Sequence, residues 1–341
     1  MQSTSSIVER VGRSSEEFAL LCAIVDDLAS DTPRREYATW LQALDDQRGL
    51  LLNEFLAACD AGRELPSLEG VSSAWCDITG LTIIGKIAES QTQAFRDEIL
   101  ASARPALRLV VDELVVDVRD FRSTLPAPDA LGTTRLGGDP DLPAGASFPT
   151  AADGVPLHFL GQFNLADFQG TVGGRAFPAS GLLSLFRTQS DGMNCYSKNA
   201  DFPRLVQLTP QNSRLTRLVR PTGLMDPPDP YRPELQIVET LRLPADLSKW
   251  PDTPISQDDY WKLDRVYPTN LGGTAYIVLG HVTHGSICDE PICDRPDWVQ
   301  LVLVPYTEGP DFGVNDMSLS YHLPAADLKT GRFDRLEATF G

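Results

Sequence analysis

Thirteen residues, His281 to Cys293, gather two of the chain's four histidines and two of its six cysteines. The run is His281-Val-Thr-His284-Gly-Ser-Ile-Cys288-Asp-Glu-Pro-Ile-Cys293. Imidazole and thiolate are donors that zinc selects, and four of them close a tetrahedral structural site. His281, His284, Cys288 and Cys293 are therefore the candidate metal ligands, with zinc as the candidate cofactor. Spacings of three and five, with bends at Gly285 and Pro291, lie within reach of one loop. The same residues also fit an exposed acidic loop, or one closed by a reversible Cys288–Cys293 disulfide.

A second set could hold an organic ligand. Arg135 precedes a Gly-Gly turn and suits an anion or carboxylate, although a salt bridge to Asp139 or Asp141 explains it equally. His158 stands between Leu157 and Phe159, and strand alternation turns it away from them, toward the surface or a cleft. Gln162 follows on the same strand. A cleft between sheets lined by Arg135, His158 and Gln162 would take a small molecule, as a binder or an enzyme.

Nucleophilic chemistry has less support, and no catalytic residue is assigned. There is no G-x-S-x-G elbow. Cys195 has Lys198 nearby, which would lower a thiol pKa, but a lone cysteine in a polar loop is usually inert. Gly80-Leu-Thr-Ile-Ile-Gly85-Lys86 fills the first seven places of a phosphate-binding loop, yet Ile87 stands where Ser or Thr must hold Mg²⁺. Its apolar interior predicts a buried turn entering a helix over 86–103.

The elements that would position these groups divide the chain in two. A length of 341 residues exceeds one typical core. Residues 1–104 are patterned for helices: Ser14 caps Phe18, Leu21, Val25 and Leu28, and Pro33 opens a stripe of Tyr37, Trp40, Leu41 and Leu44. Gly49 ends that helix, and a third runs from Leu50 to Cys59. Residues 105–341 are patterned for strands between Gly- and Pro-rich turns, with strands expected over 155–165 and 181–186. A strand–loop–strand echo recurs at 299–305 and 317–323. The predicted fold class is α+β: a small helical N-terminal domain, then a strand-rich domain of mixed or antiparallel sheets, built as two related sheet halves.

The formal net charge of −18 excludes nucleic acid and anionic lipid as natural partners. No apolar run approaches the length of a membrane span, and sparse cysteines suit a reducing cytoplasm with free thiols.

Two stretches resemble known families. Asp31, Pro33, Arg34, Tyr37, Ala38, Trp40 and Leu41, then Arg48-Gly49 and an apolar helix, resemble the repeat-companion domain over 18–60. Asp46-Gln47 departs from the usual Asp-Pro there. The phrases RLGGDPDLP, PLHFLGQFNL and SGLLSLF, and later LPAADLKTGRF, resemble the YwqG-like family over 105–341. That family is a bacterial domain of unknown function. The first resemblance implies docking, so the expected role is a cytoplasmic protein-binding or accessory protein, of regulatory or immunity type. A small-molecule binder or enzyme, and a zinc-stabilised binding module, are the alternatives.

Overall fold

Helical periodicity governs the first hundred residues of the computed structural model. It describes residues 7–9, 14–111, 130–187, 204–221, 235–244, 255–266, 276–281, 295, 297–304 and 319–340. Helices α1 (Ser15–Asp26), α2 (Thr32–Ala43), α3 (Gln47–Asp60), α4 (Ser73–Ile78), α5 (Leu81–Ser90) and α6 (Arg96–Ser102) follow one another. The Ser14 hydroxyl accepts from the Glu17 amide at 3.1 Å and caps α1 as expected. Pro33 lies in the first turn of α2.

Two details differ from expectation. Gly49 does not end α2; it lies inside α3 and lets the helices touch. A Cβ there would stand 2.6 Å from the Ala38 carbonyl oxygen. The stretch that imitates a phosphate loop is helical from Leu81 onward, with Gly80 left-handed at its N-cap, and Lys86 pairs with Glu89 at 2.7 Å. The chain from 86 to 103 is not one helix but the end of α5, a 3₁₀ turn at Gln93–Phe95, and α6.

Buried polar groups lock the bundle. Tyr37 Oη donates to Glu17 Oε1 at 2.8 Å, and Trp75 Nε1 donates to Tyr37 Oη at 3.1 Å. Arg48 meets the same Glu17 oxygen at 3.0 Å. These bonds tie α1, α2, α3 and α4 together. Arg34, fully buried, donates to the carbonyls of Leu28, Ser30 and Thr79, and burial lowers its pKa to about 10.

The described strands are β1 (Ile7–Glu9), β2 (Arg104–Val111), β3 (Arg135–Leu136), β4 (Asp141–Pro143), β5 (His158–Asn164), β6 (Leu182–Arg187) and β7 (Arg204–Thr209). They continue with β8 (Leu215–Arg217), β9 (Leu235–Arg242), β10 (Tyr276–Leu279), β11 (Trp298–Val304), β12 (Leu319–Pro324) and β13 (Glu337–Phe340). The large sheet runs β1-β9-β2-β10-β11-β12-β13; only the β1–β9 pair is parallel. A second sheet runs β3-β5-β6-β7, all antiparallel, and β4 pairs with β8 as a ribbon. This is the expected α+β class.

The two sheets face each other across one apolar core, with Leu107, Ile237, Val278 and Tyr321 on one side and Phe163, Leu183 and Leu185 on the other. The helices pack on the opposite face of the large sheet. Their core residues, among them Leu21, Tyr37 and Trp75, join one cluster with Val238, Leu241 and Leu243, and with Tyr260 and Leu263 of α8 (Gln257–Val266). Thr240 of β9 also donates to Asp77 of α4 at 2.8 Å.

The internal echo is present as two antiparallel strand pairs, β5 with β6 and β11 with β12, each with one bulge; a second likeness runs through the short helices. Strand β5 leads into the short helix α7 (Leu165–Phe168), then antiparallel β6. Strand β12 leads into α9 (Ala325–Thr330), then antiparallel β13. The helices carry Leu-Ala-Asp-Phe and Ala-Ala-Asp-Leu, and Phe168 and Leu328 enter the same core. This second likeness aligns β5 with β12.

Gly49→Ala is expected to destabilise the chain by about 1–3 kcal/mol, because backbone must move to admit the methyl group. Urea unfolding compared with wild type checks this.

Candidate functional site

Turn chemistry builds the site between Arg135 and Asp141. Gly137 and Gly138 take φ of 66° and 73°, which glycine adopts without steric cost, and the chain folds back over β3. The turn sets Asp141, at the start of β4, above the outer face of the four-stranded sheet. Arg135 and Gln162 are register partners on that face.

Their groups converge on one carboxylate. Arg135 Nη1 donates to Asp141 Oδ2 at 2.7 Å, and Gln162 Nε2 donates to the same oxygen at 2.9 Å. The Gly132 amide adds a third bond at 2.9 Å. Arg217 of β8 donates through Nε to Asp141 Oδ1 at 2.8 Å. Gln162 Oε1 accepts the Asp141 amide at 3.0 Å, and Arg135 Nη2 also donates to the Asp139 carbonyl. Arg135, Asp141 and Gln162 have no solvent exposure. Burial alone would raise the Asp141 pKa, but hydrogen bonds from Arg135 and Arg217 overcome it and hold the carboxyl well below the usual carboxylate range. The arrangement closes a turn and two sheets; its guanidinium and carboxylate serve each other.

His158 does not join them. It pairs with Arg187, whereas Gln162 pairs with Ser184 three residues away on β6, so the two side chains lie on opposite faces. A bulge between Phe159 and Gly161 causes this. Four residues apart normally means one face; one extra residue reverses the parity. Phe159 therefore packs outside with Leu142, Leu157 and Phe186, while Phe163 enters the core between the sheets. His158 is 2% exposed, so the surface position expected for it is corrected. Arg135, His158 and Gln162 cannot line one cleft.

Of the zinc set, His281 is described and His284, Cys288 and Cys293 lie outside the described residues. His281 is buried, and its Nε2 donates to the Ser102 carbonyl at 2.5 Å. Burial first, then the charge of Arg104 and of Arg242, lowers its pKa well below the ordinary value. Among the described residues no three His, Cys, Asp or Glu form a metal-sized group. Cys195 and Lys198 also lie outside them.

One contributor escaped the sequence. Arg217 gave one weak signal, a lone charge in the run Leu-Thr-Arg-Leu-Val.

The fold and site define a two-sheet α+β protein whose smaller sheet is fastened by a buried carboxylate. Residues 134–340 match the family model described as Domain of unknown function (DUF1963). Covering more than half the chain, the match shows that it belongs to this family. No curated protein matches it. Among the described residues no helix is long and apolar enough to cross a membrane.

Asp141→Asn is expected to cost about 3–5 kcal/mol near pH 7, since the buried Arg135 loses the carboxylate charge it is paired with. Folding lowers the Asp141 pKa. Its stabilisation is therefore present above the ordinary value of about 3.9 and is lost as pH falls through the lower folded value. Urea midpoints of wild type and variant should differ most near neutrality and approach each other in acid.

Proposed function

We propose that the chain is a protein-binding or accessory protein, of regulatory or immunity type, working in a reducing cytoplasm. The observation that carries this is the tip of the α2–α3 hairpin. Leu44 is 61% exposed and Leu50 is 54% exposed, on either side of a turn that also exposes Asp45. Beneath the tip the hairpin is closely packed: Gly49 lies against Ala38, and Asp46 binds Arg48 at 2.7 Å. Apolar side chains held open on a firm base suit a partner's surface. The resemblance of residues 18–60 to the repeat-companion domain supports docking in the same place. Cys22, Cys59 and Cys76 are free, which suits the proposed compartment. Burial raises the pKa of all three thiols, that of Cys76 to about 11, so they are poor nucleophiles.

Affinity capture from cytosol, comparing wild type with the Leu44→Glu/Leu50→Glu variant, tests the proposal. A protein retained by wild type and reduced at least about tenfold with the variant is expected. No captured protein, or equal capture by both, would count against it.

A further inference from the structure

The outer side of α2 ends in an apolar pair. Trp40 and Leu44 are four residues apart, so they lie on one side of the helix, with Glu36 one turn before them. Leu44 is 61% exposed and Trp40 is half-buried. The indole is held in place: it stacks on the buried Tyr37, with 6.1 Å between ring centroids and 20° between planes. A tryptophan already fixed loses little side-chain freedom when a partner covers it.

The free charge around this pair has one sign. Helices α1, α2 and α3 contain three basic residues, and each is committed to a nearby acid. Arg34 pairs with Asp31 at 3.2 Å and Arg35 with Asp60 at 2.6 Å. Arg48 pairs with Glu17 at 3.0 Å and with Asp46 at 2.7 Å. Glu36 and Asp45 are exposed and have no ion pair among the described residues. Asp45 follows Leu44 directly and takes a left-handed φ of 57°, a conformation that glycine adopts at lower cost. Its side chain makes no hydrogen bond among the described residues. Asp46 serves the turn instead, capping α3 by accepting the Arg48 amide at 2.9 Å. The fold thus has no use for the Asp45 carboxylate.

An apolar pair between free carboxylates is complementary to a segment of the converse pattern. Glu36 and Asp45 are separated by about 14 Å of helix axis, a span that two to three turns of a second helix match. Resting on the reading that this hairpin docks a protein, we infer that the docked segment is a basic amphipathic helix. Its apolar face covers Trp40 and Leu44, and its Lys or Arg side chains pair with Glu36 and Asp45.

Fluorescence anisotropy of labelled helical peptides, titrated with the full chain, tests this. Three peptides share one leucine face and carry Lys, Gln or Glu on the other. The Lys peptide is expected to bind saturably and at least about tenfold tighter than the Gln peptide, with the Glu peptide weakest. Leu44→Ser is expected to weaken the Lys peptide at least about tenfold. Glu36→Gln/Asp45→Asn is expected to weaken it about threefold or more and to flatten its dependence on salt, with the urea midpoint unchanged. Equal binding of the Lys and Gln peptides, lost in Leu44→Ser, would overturn the basic preference and leave the docking reading standing. A Lys peptide that does not bind, or that binds every variant equally, overturns the inference outright; capture from cytosol then decides the docking reading separately.

Discussion

A carboxylate removed from water must be met on every side, and Asp141 is met by five donors from four stretches of chain. Arg135 comes from β3, Gln162 from β5, Arg217 from β8, and the Gly132 amide from the approach to β3. Each stretch alone is short; β3 has two residues and β8 has three. Such strands gain little from their own ladders. The shared carboxylate gives them a common fixed point, and the apolar cluster around Leu142, Phe159 and Phe186 packs beside it. The smaller sheet therefore depends on one ionised group as much as on its hydrophobic face.

The helical half is organised on the same principle with different chemistry. Glu17, Tyr37, Trp75 and Arg48 form one buried chain of hydrogen bonds joining helices distant in sequence. The helices then share apolar core with β9 rather than standing apart. Position 104, where the sequence changes character, is the first residue of β2. Composition changes there, but packing runs across it. The exposed leucines of the hairpin tip lie on a part held by the helical network.

The fold class and most of the periodic elements were legible because periodicity survives without tertiary information. The Ser14 cap, the Pro33 start and the strands around Phe163 and Leu183 follow from spacing alone. The Arg135–Asp141 bridge was legible as one of two alternatives, since a turn with Gly137 and Gly138 returns the chain on itself. What spacing could not show was the bulge at Leu160. One added residue moved His158 to the opposite face from Gln162 and divided two phenylalanines between two cores. Nor could spacing show that Gly49 serves close helix contact, because a glycine that ends a helix and one that admits a neighbour look alike. Arg217 escaped for a related reason: register between β4 and β8 sets it opposite Asp141, and 76 positions separate the two in sequence.

A double-mutant cycle on Arg135 and Asp141, read by urea unfolding, tests the dependence on the buried carboxylate most directly. Arg135→Met and Asp141→Asn would be made singly and together. Groups that serve each other should be strongly coupled. The double variant should then be more stable than the sum of the single losses, by on the order of 1–3 kcal/mol. Additive losses would contradict this, showing that the two side chains contribute separately and that the smaller sheet is held by its apolar packing alone.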